Sequence, residues 1–245
     1  MTLTPGTPRW RLSNRTRLVL SASIALTAFL IVRGAVRADD AKPDKQPARN
    51  WQSVNRLKQL ALAMHNYHSV YGKFPAAAVF DKDGKPLLSW RVLLLPFVEE
   101  EKMFKEFHLD EPWDSEHNKK LLERRPKVYN VDSAELKSGE TAFLVFTGKG
   151  TVFEGTTGLS IPEIVDGTSN TLLIVESARA VPWTKPEDLV YDPARPLPRL
   201  GLVDAGFNGV FCDARVRWLK LPMPEKELRA LVTRNGHEPV DLSKY

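Results

Sequence analysis

The sequence predicts an α+β domain in which an N-terminal amphipathic helix packs on an antiparallel β-sheet, with additional short helices and long loops. Two observations support this class. From Trp51 onward, apolar residues recur at steps of three and four, which is the period of one helix face. Further along the chain, "TAFLVFTG", "GTVFEG" and "NTLLIVES" are short, rich in β-branched and aromatic residues and separated by glycine, as strands are.

The predicted helix carries two histidines, which raises the question of a metal site. Its apolar face is formed by Val54, Leu57, Leu60, Ala61, Met64, Tyr67, His68 and Tyr71. His68 lies near the middle of this face and His65 near its edge, so we expect a buried, hydrogen-bonded His68 and a His65 at the rim. A two-histidine metal site is the alternative, but no acidic or cysteine partner stands at a recognised spacing. We therefore predict no metal site.

The segments after this helix predict a hairpin, further short helices and a final pair of strands. "GKFPAAAVFDKDGKPLLSW" offers two short strands around the turn "DKDGK", and an apolar helix with a bend near Pro96 starts at about Trp90. The last strands lie around "GVFCD" and "RVRWL". "PEKELRALVTRNG" then predicts a helix that docks through Leu228, Leu231 and Val232.

The first 50 residues predict an export leader and a linker. An uncharged, mainly apolar run from Leu18 to Val32 lies between a basic stretch and small residues near Ala38, the pattern of a signal peptide. As a helix this run spans about 22 Å, short of the roughly 30 Å hydrocarbon core. A cleaved signal peptide is therefore favoured over a retained anchor, and in either case the rest of the chain is exported. We expect a leader at 1–38, a polar linker at 39–50, the α+β domain at 51–220 and a C-terminal helical extension at 221–245.

The excess of positive charge belongs to the leader rather than to the predicted domain. The whole chain carries a net charge of +5. Six basic residues and no acidic ones precede Asp39, namely Arg9, Arg11, Arg15, Arg17, Arg33 and Arg37. Removing them leaves 29 basic residues against 30 acidic ones. The exported part thus lacks the basic footprint of a nucleic-acid-binding protein.

A single cysteine, Cys212, rules out a disulfide within the chain and a cysteine-rich metal site. Its position in the strand-like "GVFCDARVRWL" predicts a small buried side chain. An exposed thiol or an intermolecular bridge is the alternative.

Two segments offer candidate ligand-binding residues. Val181 to Gly201 contains five prolines and little periodicity, so it is either packed irregular structure or a functional loop. Trp183 and Tyr191 are its ligand contacts if it binds a sugar or a peptide, because aromatic rings can stack on either. In "IVDGTSNTLLIVES", Asp166 and Asn170 are further candidates, although capping of the turn by these side chains explains them as well.

No nucleophile–base motif, catalytic residue or cofactor-binding motif emerges from the sequence. Paired carboxylates among Glu154, Asp166 and Glu176 are the remaining possibility for an exported hydrolase, but their separation cannot be read from sequence. We therefore expect an exported, non-catalytic protein with a structural or binding role. The two alternatives are an extracytoplasmic receptor for a carbohydrate or peptide and the exported hydrolase.

Several long motifs resemble a known family. They are "NRLKQLALAMHNYHSVYGKFPAA", "LLSWRVLLLPFVEEEKMFKEFHLDEPWDSEHNKKLLE", "DGTSNTLLIVES", "VPWTKPEDLVYD" and "NGVFCDARVRWL". In this order they resemble the pilin-related family 1559 of the domains of unknown function, which is abundant in planctomycetes. The resemblance implies an exported cell-envelope protein with a type IV pilin-like or pseudopilin-like fold, and it brings no catalytic residues.

The chain also departs from that family. Members commonly begin with a prepilin signal and one long apolar helix that continues into the sheet-packing helix. Here the polar linker 39–50 separates the apolar run from the predicted helix, so we expect no filament assembly of the usual kind. The expected location is periplasmic or extracellular, with an inner-membrane anchor at 18–32 if the leader is retained, and an envelope protein or a glycan as partner.

Overall fold

The computed structural model describes residues 51–131, 136–202, 205–238 and 240–244. The predicted leader and linker lie outside these described residues. Helices α1–α4 span Trp51–Tyr71, Trp90–Leu93, Glu101–Glu106 and Glu225–Val232, and strands β1–β8 span Ala78–Phe80, Pro86–Ser89, Glu140–Leu144, Phe146–Thr147, Leu172–Pro182, Leu189–Val190, Gly206–Phe211 and Val216–Lys220. Short 3-10 helices lie at Leu95–Phe97, Asn118–Arg124, Lys127–Tyr129, Ile161–Glu163 and Leu242–Lys244.

The main sheet has four antiparallel strands in the order β3-β5-β7-β8. Helix α1 lies against β7 and β8, so the predicted α+β class with a helix on an antiparallel sheet is confirmed. The predicted hairpin is formed by β1 and β2, and β4 and β6 make a separate parallel pair.

The segment "GTVFEG" does not form the predicted strand. It contributes only an isolated bridge between Thr147 and Phe153. Gly150 and Gly155 both have positive φ angles, which are incompatible with extended backbone. The glycines that predicted the boundaries of a short strand therefore bend this segment into a loop.

Both faces of the main sheet are covered. Side chains alternate between faces along a strand, and in β3 Phe143 packs in the cluster beneath α1 while Leu144 packs in a second cluster. That second cluster contains Leu228, Leu231 and Val232 of α4, which are the docking residues predicted from the sequence. The C-terminal helix thus covers the face of the sheet that α1 leaves open.

Burial on two faces explains the composition of the strands. An antiparallel sheet with one wet face shows alternating apolar and polar residues, whereas a strand buried on both faces reads as a continuous apolar run. Residues 172–176 in β5 are all buried. The sheet therefore forms the middle layer between α1 and α4.

Among the helices of the described residues, none is both long enough and apolar enough to cross a bilayer.

We predict that Leu231→Ala lowers the free energy of unfolding by about 2–5 kcal/mol, because the leucine is fully buried and truncation leaves a cavity. Lys226→Ala on the exposed side of the same helix should change it by no more than about 0.5 kcal/mol. Urea denaturation of both variants measures the difference. Equal, small effects would show that α4 is not part of the folded core.

Candidate functional site

A cleft of about 450 Å³ lies between the β1–β2 hairpin and the β4–β6 pair. Its volume falls within the range of ligand-binding pockets, about 300–1,000 Å³. Apolar walls are supplied by Ala77, Ala78, Phe80, Pro86, Phe153 and Val190. Polar groups come from Thr147, Arg179, Glu187 and Asp188. The lining of the cleft is therefore mixed, with apolar walls and several polar and charged side chains that could orient a ligand.

The floor of the cleft is held by a buried ion pair between Arg91 and Asp188. Arg91 Nη2 lies 2.9 Å from Asp188 Oδ1, and their side chains are 0% and 3% exposed. The same carboxylate oxygen accepts hydrogen bonds from Trp90 Nε1 at 3.3 Å and from the Val145 amide at 3.0 Å. These donors offset the loss of hydration that a buried carboxylate suffers.

Arg91 is in turn fixed by groups from three other places in the chain. Its Nε and Nη2 donate to Phe143 O at 3.1 and 2.7 Å. Its Nη1 donates to Ser89 Oγ at 2.6 Å. Its own carbonyl accepts a hydrogen bond of 2.7 Å from the Tyr129 hydroxyl. The guanidinium therefore joins the hairpin to β3 of the main sheet.

The other carboxylate oxygen of Asp188 remains open. In the described part of the chain, the hydrogen bonds to this carboxylate all go to Oδ1, and no group donates to Oδ2. Oδ2 is also not fully enclosed by the protein. Since Asp188 lines the cleft, we place Oδ2 at the cleft floor. A residue that is only 7% exposed thus presents an unused acceptor to the cavity.

Burial raises the pKa of the Asp188 carboxyl, while Arg91 and the Val145 amide oppose that rise. At the rim of the cleft, Glu187 pairs with Lys185 and Arg179, both of which lower the pKa of its carboxyl, Lys185 more strongly. Arg179 Nη2 also donates to Asp188 O at 2.6 Å. Both acidic groups of the cleft therefore have at least one cation beside them, Arg91 for Asp188 and both Arg179 and Lys185 for Glu187.

Strand β6 contributes an open backbone edge at Val190. The amides of Leu189 and Tyr191 donate to Val145 O and Thr147 O, at 2.9 and 2.8 Å. In a parallel pair, alternate residues of a strand face the partner strand. The amide and carbonyl of Val190 therefore point away from β4, and Val190 is 71% exposed.

Neither aromatic candidate from the sequence lines this cleft. Trp183 is fully buried, and its Nε1 donates to Leu122 O at 2.8 Å while its ring stacks on Tyr129. This places Trp183 in the core rather than at a binding surface. Tyr191 is half-buried and packs with the cluster that contains α4. It comes directly after Val190, so its side chain points to the opposite side of this extended segment.

The polar candidates Asp166 and Asn170 hold backbone segments together. Asp166 accepts hydrogen bonds from the amides of Gly236 and His237 at 2.7 and 2.8 Å, and its side chain is 5% exposed. Asn170 Nδ2 donates to Asp166 O at 3.0 Å. The side chains of this turn therefore cap it and anchor the C-terminal segment, which is the alternative that the sequence left open.

The carboxylates considered for hydrolysis are also engaged in structural contacts. Glu154 pairs with Arg234 at 2.9 Å. Glu176 is buried and accepts hydrogen bonds from the amide and the side chain of Asn208, at 3.1 and 2.7 Å. The third residue, Asp166, also donates a hydrogen bond of 3.0 Å from its backbone amide to Arg234 O. None of the three lines the cleft.

The helix histidines flank a buried phenylalanine. The rings of His65 and His68 lie 5.4 and 5.2 Å from Phe74, measured between centroids. Both histidines are half-buried. His68 Nε2 accepts the Ile161 amide at 3.3 Å, whereas His65 Nε2 is buried without a partner in the described part of the chain. His68 is thus hydrogen-bonded as predicted but half-buried rather than buried. His65, which we expected at the rim, is half-buried with its Nε2 enclosed.

Across residues 51–131, 136–202, 205–238 and 240–244, no group of three or more His, Cys, Asp or Glu side chains is placed to hold a metal ion. Cys212 is buried, as the sequence predicted, and burial raises the pKa of its thiol. An enclosed, protonated thiol is a poor nucleophile. The side chain therefore serves as core.

The comparison with family models gives a match in the N-terminal part of the described domain. Residues 44–130 match the family described as "Protein of unknown function (DUF1559)". The match covers about a third of the chain and includes α1, the β1–β2 hairpin and Arg91, whereas Asp188 and the β4–β6 side of the cleft lie beyond it. The comparisons with curated proteins and with solved structures found no match.

Sequence reasoning missed Arg91 and Asp188, although one signal was present. Arg91 is the only charged residue in the apolar run "PLLSWRVLLLPFV", and a charge in such a run must be paired if it is buried. Its partner lies 97 positions away. Spacing along the chain therefore could not identify it.

We predict that His65 makes the protein less stable in mild acid. Burial lowers the pKa of His65, the backbone of Cys212 opposes this, and His68 adds to the lowering. The unfolded chain thus binds the proton more readily, so the contribution of His65 to stability is complete above pH about 6.5 and is lost as the pH falls toward the lowered pKa.

Unfolding free energies measured over a pH series through mild acid, from about one unit above to about one unit below the ordinary histidine pKa, test this expectation. His65→Gln should show a shallower loss of stability on acidification than the unmodified protein. Asn66→Gln, at an exposed position next to His65 on the same helix, carries no titrating group, is the matched control and should leave the slope unchanged. Identical slopes in all three proteins would contradict the assignment.

Proposed function

We propose that the protein is an exported, non-catalytic binding protein of the cell envelope and that the cleft above the Arg91–Asp188 pair is its binding site. The observation that carries this proposal is the open Oδ2 acceptor of Asp188 in a cavity with apolar walls. Because Oδ2 is open to the cavity, a ligand that donates a hydrogen bond to it is oriented by that bond, while its apolar part fills the cavity.

Export rests on the leader pattern, and an envelope location rests on the resemblance to the pilin-related family. The match of residues 44–130 supports that resemblance. A type IV pilin-like packing of α1 on the sheet and a planctomycete origin are part of the same proposal. The polar linker before α1 favours a single exported domain, either released or tethered through residues 18–32, over a filament subunit.

A non-catalytic role is supported by the engagement of the acidic side chains. Asp188 and Glu187 are paired with cations at the cleft, and Glu154, Asp166 and Glu176 hold backbone and side-chain groups elsewhere. Their contacts give the hydrolase alternative no support. A carbohydrate or a peptide remains compatible with the cleft.

The proposal is tested on protein purified from cell-envelope fractions. Its intact mass should correspond either to cleavage near Ala38 or to a retained leader in the membrane fraction. The same protein is screened by thermal shift against panels of oligosaccharides, blocked peptides and small polar organic molecules. We expect at least one ligand to raise the melting temperature.

A matched pair of variants assigns that ligand to the cleft. Val190→Trp fills the cleft entrance and should abolish the thermal shift. Val165→Trp, at another exposed valine, should preserve it. A cytoplasmic protein with an intact N-terminus would contradict export, and a screen without any ligand that Val190→Trp blocks would contradict the binding site.

A further inference from the structure

The cleft combines a backbone edge with a side-chain acceptor, and together these specify a class of ligand. Val190 presents its amide and carbonyl away from β4, and Asp188 lies two residues before it. Residues two apart in an extended segment share a face. The open backbone groups and the open carboxylate oxygen therefore belong to the same short extended segment, residues 188–190.

An open strand edge is satisfied by another extended chain. The free N–H and C=O of one residue form a pair of hydrogen bonds with a neighbouring strand, which is the basis of peptide recognition by strand addition. A saccharide offers hydroxyl groups but not the regular alternation of amide donor and acceptor. The edge at Val190 thus favours a peptide.

The interior of the cleft constrains one side chain of that peptide. Its apolar walls, formed by Ala77, Ala78, Phe80, Pro86, Phe153 and Val190, favour an apolar body for the entering side chain. At the floor Asp188 Oδ2 can accept a hydrogen bond, but the charge of this carboxylate is already balanced by Arg91 at 2.9 Å. A second cation would lie close to the Arg91 guanidinium and be repelled. The suitable tip is therefore a neutral O–H or N–H on a large apolar body.

Tyrosine meets these requirements, because its ring is apolar and its phenol O–H donates one hydrogen bond. The cavity of about 450 Å³ is wide enough for one such ring with several neighbouring atoms. Phenylalanine has the same ring but no donor. A comparison of tyrosine with phenylalanine in the peptide therefore separates the effect of filling the cavity from the effect of the hydrogen bond to Asp188.

We propose that the cleft binds an extended peptide that pairs with the β6 edge at Val190 and inserts a tyrosine whose hydroxyl donates to Asp188 Oδ2. This inference rests on the proposed function, since it names the ligand class of the same site. The pairing orders one or two peptide units, and the inserted ring supplies most of the buried apolar area.

The test uses two libraries of N-acetylated, C-amidated hexapeptides that are identical except for tyrosine or phenylalanine at the third position. The protein purified from the envelope fraction is screened by affinity selection and mass spectrometry. We expect binders from the tyrosine library. Resynthesis with phenylalanine should weaken them at least about tenfold, because the ring then covers Oδ2 without donating to it.

The backbone pairing is tested by methylating one peptide nitrogen at a time in the best binder. Binding should be lost at alternate positions only, because every second amide of the peptide faces β6. On the protein side, Val190→Pro removes the amide donor without removing a bond to β4, and it should abolish binding. Val190→Thr keeps that donor, so it should bind far more tightly than Val190→Pro.

The outcomes separate this inference from the proposed function. Absence of peptide binders, an unchanged affinity after Tyr-to-Phe replacement in the peptide, or a methylation profile without alternation overturns the peptide inference. If a saccharide or another small molecule binds and is blocked by Val190→Trp, the binding function stands and the peptide inference fails. If no probe of any kind binds the cleft, both fail. The methylation scan keeps the test decisive even if Val190→Pro does not fold.

Discussion

The buried pair of Arg91 and Asp188 is the interaction on which the arrangement of the domain depends. Arg91 is 0% exposed and comes directly after the hairpin, and Asp188 belongs to the segment that leads into β6. Their contacts also reach the backbone of the sheet, at Phe143 O and the Val145 amide. An isolated charge in this interior would be prohibitive. Each partner therefore requires the other, and together they fix the hairpin against the sheet.

This constraint also creates the cleft. Because Arg91, Trp90 and Val145 all donate to Oδ1, the carboxylate is held in one orientation with Oδ2 left over. The hairpin and β6 stand on either side of that oxygen and form the apolar walls. The side chain that stabilises the contact between the two parts thus also supplies the polar group at the cleft floor. Stability and the proposed recognition are thus coupled through one residue.

The sequence predicted what local periodicity and composition determine. Helix α1, the hairpin, the last strand pair and the docking face of α4 depend on short-range patterns, and Cys212 is buried as its setting indicated. The role of α4 in closing the second face of the sheet and the pairing of Arg91 with Asp188 depend on contacts between distant residues. The segment Val181 to Gly201 does line the cleft through Asp188 and Val190, but the most conspicuous side chain in it, Trp183, is the one that the core buries.

The most direct test of this mutual dependence is a double-mutant cycle of Arg91→Met and Asp188→Leu, measured by urea denaturation. We expect each single variant to lose about 3–5 kcal/mol, because each leaves a buried charge without its partner. The loss of unfolding free energy in the double variant should be smaller than the sum of the two single losses by at least about 2 kcal/mol. Additive losses would show that the two charges do not depend on each other, and the pair would then not be the constraint that organises the domain.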